Sequence, residues 1–173
     1  MPRLAIVEPK DTTGEAARIL ASAPINIFKG LAAHPEIFTA FVSFMRAVEH
    51  APVLTRAEKE LVMLRAAELR GCGYCTAAHT KIASGAGVDA TAALEARRGR
   101  SGDPKRQALL AFTSAVVEKE GFVSDAQLAE FRAAGYDDKA AIESIAAITL
   151  MTFTTLFNHV HDTALDFPPV PAA

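Results

Sequence analysis

Charge of one sign is nowhere concentrated in this 173-residue sequence. Lys and Arg number 18 against 20 Asp and Glu, and the formal net charge is −2. A nucleic-acid footprint is therefore not supported. The densest basic stretch, EARRGRSGDPKR, contains a glycine-rich turn and reads as a solvated loop. No apolar run is expected to span a bilayer. The longest, AAIESIAAITLMTFTTLF, carries Glu143 and several threonines. The opening MPRLAIVEPKD has acids and lacks a long apolar stretch, so no secretory signal is read there and a cytoplasmic location is the default expectation. The alternation of β-branched residues that marks strands is scarce. Cysteine is nearly absent, with only Cys72 and Cys75. In a reducing compartment so close a pair is not a structural staple, which turns attention to metal or redox chemistry.

Half of the residues are apolar, enough for a folded core, and the length suits one domain over 1–173 with its core at about 25–167. The pattern is helical almost throughout, giving an all-α domain of about seven or eight helices. His34 caps a helix that starts at Pro35 and carries Ile37, Phe38, Phe41, Phe44 and Met45 at helical spacing. Thr55 and Glu58 form a capping box for the next helix, which Gly71 ends in the left-handed region. A helix then starts near Cys72 and runs to about Ser84. Asp89 caps a short one, and Asp103 with Pro104 opens another that stops at Gly121. Ser124 and Gln127 repeat the capping box in a helix that ends at Gly135. The longest pattern covers 138–165, before a proline-bearing tail. The apolar residues of this last helix, Ile142, Ile145, Ile148, Leu150, Phe153 and Phe157, exceed what a small domain needs and point to a homo-oligomer.

The stretch RGCGYCTAAHT holds the chemistry. On a helix, residues three and four apart share a face, so Cys72, Cys75 and His79 form one stripe. Cys72 lies in or just before the first turn, where free amides and the helix dipole lower a thiol pKa. Glu60, on the preceding helix beside Leu61 and Val62, needs a partner if buried. A carboxylate, an imidazole and a thiol in sequence outline a proton relay. Three readings stay open on these residues alone. They are a redox pair, a zinc site completed by His159 or His161, and inert buried cysteines. His50 and His159 otherwise suit packing or surface roles, and Tyr74 falls off the cysteine stripe, where packing is its plain role.

The segment ELVMLRAAELRGCGYCTAAH resembles the core motif of the alkylhydroperoxidase D-like branch of the carboxymuconolactone decarboxylase superfamily. Its pattern is a glutamate, eleven residues, C-x-x-C, three residues and a histidine, which Glu60, Cys72, Cys75 and His79 match without a gap. Similar flanks extend the resemblance over most of residues 25–167. The resemblance implies an all-α fold assembled as trimers, or as dimers and hexamers, and thiol-dependent peroxidase chemistry without a cofactor or metal. It implies that Cys75 is the peroxidatic cysteine and Cys72 the resolving partner and proton donor. A Cys72–Cys75 disulfide closes the cycle, and His79 and Glu60 are the proton relay. Tyr74 departs from the best-known peroxidase of the family, which has a relay histidine just before the second cysteine; a tyrosine is a poor base near neutral pH. The decarboxylase branch typically lacks the cysteine pair. The substrate expected is an organic hydroperoxide or hydrogen peroxide, and the electron donor a dithiol, which the family suggests is lipoyl-bearing. The alternatives are thiol–disulfide exchange without peroxidase activity and, from another class, a non-catalytic helical oligomer or zinc-binding module.

Overall fold

The computed structural model describes residues 2–173, and within them the regular structure is helical with no strands. A 3-10 turn at Pro9–Asp11 precedes nine α-helices. They are α1 (Gly14–Ser22), α2 (Asn26–Leu31), α3 (Pro35–His50), α4 (Arg56–Leu69), α5 (Gly73–Gly85), α6 (Ala90–Arg97), α7 (Pro104–Glu118), α8 (Asp125–Ala133) and α9 (Asp138–His161). The sequence pattern missed α1 and α2. α2, at six residues, is too short for a periodic apolar stripe, and α1 buries one in Ala16, Ile19 and Leu20 but has no side-chain cap to announce its start. Gly30 of α2 is needed for close approach. A Cβ there would meet His161 Nε2 and Phe157 Cζ of α9 at 2.8 Å.

The expected caps form. Thr55 with Glu58 and Ser124 with Gln127 make reciprocal capping boxes, Asp89 and Asp103 accept from first-turn amides, and His34 Nδ1 accepts from Ile37 N. Gly71 adopts φ +67° between α4 and α5, so the chain turns sharply and the two helices pack together.

α4 is the hub, packed against α5, α6, α7 and α9. A helix so enclosed buries even its charged residues, and Glu58, Lys59 and Glu60 are all buried. Each has its own partner, as a buried charge requires. The Glu58 carboxylate accepts from Thr55 and from the Tyr136 hydroxyl at 2.8 Å. Burial pushes its pKa up, but these hydrogen bonds outweigh it and hold the carboxyl below its ordinary range. The Lys59 ammonium donates to the carbonyls of Glu49 and Ala51 and faces Glu143 at 3.9 Å. Glu60 is left for α5.

α9 departs from the sequence reading in three ways. At 24 residues it is, by length and composition, long and apolar enough to cross a membrane, although half of its apolar window is buried in the fold. Its polar residues do not interrupt it. Thr149, Thr152 and Thr154 return their hydroxyls to carbonyls one turn back, and Glu143 accepts from the amides of Val53 and Leu54. Its apolar residues also divide. Ile148 and Leu150 are core, whereas Ile142, Ile145, Phe153, Leu156 and Val160 are exposed along one side. The helix stops at His161 rather than 165, because Asp162 turns into the left-handed region at φ 56°. The following segment folds back. Asn26 at the start of α2 donates its amide to Asp166 Oδ2 at 2.8 Å and its Nδ2 to Ala164 O at 3.1 Å.

Candidate active site

The left-handed Gly71 delivers Cys72 to the N-cap of α5, and its Sγ accepts the Cys75 amide at 3.2 Å. The capping role normally taken by a hydroxyl or carboxylate is thus taken by sulfur. Cys72 and Cys75 are bonded as a disulfide, with Cα atoms 5.3 Å apart. Both are buried, at 1% and 3% exposure.

One turn on, His79 crosses to α4, and its Nδ1 lies 2.9 Å from Glu60 Oε2. Since a carboxylate only accepts, Nδ1 carries the proton and Nε2 is the nitrogen not engaged by Glu60. The structure thereby brings together the four residues singled out in the sequence. His159 instead faces the Gly71 carbonyl at 3.4 Å, and buried His161 stacks on Phe157 and bonds to Thr163. Among the described residues no group of three or more His, Cys, Asp or Glu is placed to hold a metal ion.

Two openings reach the disulfide from different sides. A cavity of about 280 Å³ is lined by Cys75, His79, Glu60 and a mostly apolar wall that includes Ile27, Phe41, Met45, Met63, Ile82 and Phe167. A separate, more polar cleft of about 460 Å³ is lined by Cys72, Gly73, His159, Asp162 and Thr163. Tyr74 and Asn158 border both.

Tyr74 does more than pack. Its hydroxyl donates to Asp166 Oδ2 at 2.5 Å, and its ring meets Phe167 edge-on at 6.0 Å. Burial, reinforced by the Asp166 carboxylate, pushes the phenol far above its ordinary pKa. It is a fixed donor that ties the returning segment over the cavity, and it is not a base.

Sequence reasoning missed three side chains of α9, Thr154, Thr155 and Asn158, which surround Cys75 Sγ at 3.8, 3.6 and 3.4 Å. Their signal was present as polar residues one turn apart within an otherwise apolar helix. It also missed Asp166 and Phe167, which had no local signal.

The whole arrangement is similar to solved structures. The alkylhydroperoxidase AhpD core, an uncharacterized peroxidase-related protein from Ralstonia eutropha JMP134, superposes with a TM-score of 0.86 at 20% identity, over 95% of this chain and 92% of that one. A peroxidase-related protein from Silicibacter sp. TM1040 gives 0.75 at 15% identity, over 85% and 80%. A variant of the debrominase Bmp8 in complex with 2,3,4-tribromopyrrole gives 0.72 at 20% identity, over 82% and 76%. The fold is thus of the alkylhydroperoxidase D-like class. No curated protein matches the sequence. Residues 35–101, which contain Glu60, both cysteines and His79, match the model of the carboxymuconolactone decarboxylase family. The family match covers this segment of the chain, and the structural likeness extends the same fold over most of the rest.

Proposed function

We propose that the protein is a thiol-dependent peroxidase that reduces organic hydroperoxides or hydrogen peroxide through a Cys72–Cys75 disulfide cycle. The observation that carries this reading is the placement of Cys75, and not Cys72, on the apolar cavity that also presents the His79–Glu60 pair.

That geometry supports the following cycle. A dithiol donor reduces the disulfide. His79 takes the Cys75 proton at Nε2 while Glu60 stabilises the imidazolium through Nδ1. The thiolate attacks the distal peroxide oxygen, an S–O bond forms as O–O breaks, and the alcohol leaves with a proton. The Cys72 thiol then attacks the sulfenic acid, water leaves and the disulfide returns. The polar cleft beside Cys72 offers the donor an approach separate from the substrate cavity. In a reducing cytoplasm the disulfide is the transient state of such a cycle.

A second copy of the chain is the proposed cover for the exposed side of α9. Ile142, Leu156 and Val160 are 66%, 59% and 55% exposed, and they continue into an apolar groove formed by Ile37, Phe44 and Phe153. An apolar stripe of this extent fits an interface between subunits.

Fully reduced protein mixed with cumene hydroperoxide, without a donor, tests the function. One equivalent of hydroperoxide should be consumed as the protein loses two hydrogens, and a dithiol should restore turnover. A run with 2,3,4-tribromopyrrole is the control for halogen chemistry on the same thiol. Reoxidation no faster than in air overturns the reading. Dithiol-driven disulfide cycling without peroxide consumption leaves thiol–disulfide exchange in its place.

A further inference from the structure

The polar side chains around the sulfur of Cys75 come from the C-terminal third of α9. Asn158 Nδ2 lies 3.4 Å from Cys75 Sγ and 3.8 Å from Cys72 Sγ. The Thr155 hydroxyl is 3.6 Å from Cys75 Sγ, its one hydrogen-bond partner among the described residues. Thr154 Oγ1, at 3.8 Å, spends its proton on the carbonyls of Leu150 and Met151. Asn158 is 5% exposed, and its Oδ1 is buried without a hydrogen-bond partner.

In the oxidised state this arrangement is poorly satisfied. Sulfur in a disulfide is a weak acceptor, so the amide gives its N–H groups to weak partners and finds none for its oxygen. A thiolate is a different acceptor, because hydrogen bonds to an ionised group are roughly twice as strong as neutral ones. The amide and the threonine hydroxyl therefore gain when the disulfide opens and charge collects on Cys75. The competing influence is the α5 N-terminus, where the Cys75 amide donates to Cys72 Sγ at 3.2 Å. Cys72 has that backbone donor and the Asn158 amide only at the longer 3.8 Å, whereas Cys75 has the same amide at 3.4 Å and the Thr155 hydroxyl at 3.6 Å.

We propose that Asn158 and Thr155 form a donor cradle for the Cys75 thiolate, which makes Asn158 a catalytic residue and selects Cys75 over Cys72 as the nucleophile. This deepens the thiol-redox reading of the site and rests on it. When a dithiol reduces the protein it supplies two electrons and two protons. One proton stays on Cys72 and the other passes to His79 Nε2, as in the cycle above. Cys75 keeps the electron pair of the broken S–S bond as a thiolate, beside the amide and the hydroxyl.

The test is a titration of thiolate absorbance in reduced Cys72→Ser protein, where Cys75 is the only thiol, repeated with Asn158→Leu and Asn158→Asp added. The leucine variant should raise the midpoint by about one unit or more. The aspartate variant should raise it further, since a carboxylate opposes the thiolate. Iodoacetamide alkylation at neutral pH should slow about tenfold in step with the leucine shift. Thr155→Val, a smaller change, should raise the midpoint by less, and it decides the matter if the Asn158 variants lose the parent's helical circular dichroism. A purely structural role would not move a titration midpoint. An unchanged or lowered midpoint in the folded variants overturns the cradle. Because no peroxide is present, a raised midpoint in a protein that fails to consume hydroperoxide keeps the cradle and removes the peroxidase function. Turnover with an unmoved midpoint does the reverse.

Discussion

His79 and Glu60, nineteen residues apart in sequence, meet at 2.9 Å on the wall of the cavity that reaches Cys75. The carboxylate fixes the imidazole tautomer, and in the proposed relay it would offset the positive charge on His79. His79→Ala should slow hydroperoxide reduction by the pre-reduced protein about 100-fold at neutral pH. Glu60→Gln, which keeps the imidazole and loses only its charged orienting partner, should slow it about tenfold. Stopped-flow measurement of single-turnover disulfide formation gives both numbers. Equal rates in wild type and His79→Ala would remove the relay.

On the proposed function, the cavity makes Cys75 the cysteine expected to be oxidised first. In Cys72→Ser protein, hydroperoxide should produce a sulfenic acid on Cys75 that a dimedone-type trap labels. In Cys75→Ser protein, Cys72 should label at no more than about a tenth of that level, since it faces the polar cleft and lacks His79 one turn away. Peptide mass spectrometry reads the sites. The opposite pattern would give control to the helix N-terminus.

The only two tyrosines, Tyr74 and Tyr136, are both held protonated, first by burial and then by the carboxylates of Asp166 and Glu58. A pKa raised on folding stabilises the native state fully below the unfolded value of about 10, and that contribution is lost as pH rises through the folded value. The native protein should therefore show almost no tyrosinate absorbance at about pH 11, whereas guanidinium-unfolded protein should be largely ionised there. Tyr74→Phe should remove its share of this alkaline loss and cost about 1–2 kcal/mol near neutrality. Early tyrosinate in folded protein would contradict both hydrogen bonds.

The exposed apolar side of α9 should be covered by another subunit. Light scattering at micromolar concentration should return a multiple of 18.4 kDa. Leu156→Glu with Val160→Glu should reduce that mass without altering the helical spectrum, because both side chains are more than half exposed within one chain. A monomeric mass for the parent protein would refute the interface.

Local chemistry made much of this molecule legible in its sequence. Thr55, Asp89, Asp103 and Ser124 cap helices because each acts on amides two or three residues away. Spacing placed Cys72, Cys75 and His79 on one helix face, and the need to pair a buried acid pointed Glu60 toward a thiol or imidazole. What stayed hidden depends on distant contacts. The short α2 is seated by the fit of Gly30 against Phe157 and His161. Asn158 acquires meaning only when α9 crosses the disulfide, and the end of α9 is set by a left-handed Asp162 that no glycine announces. Tyr74 looked like packing because its partner Asp166 lies ninety-two residues away.

That last pairing sets an order on biosynthesis. Synthesis runs from the N-terminus, so both cysteines emerge long before Asp166 and Phe167 exist. Throughout that interval Tyr74 has no anchor, Asn158 has not been made and the cavity lacks a wall. The nascent cysteines are then ordinary thiols, open to any passing oxidant or electrophile. The walled cavity becomes a property of the chain only after residue 167 has been added and folded back, as the closing act of its assembly.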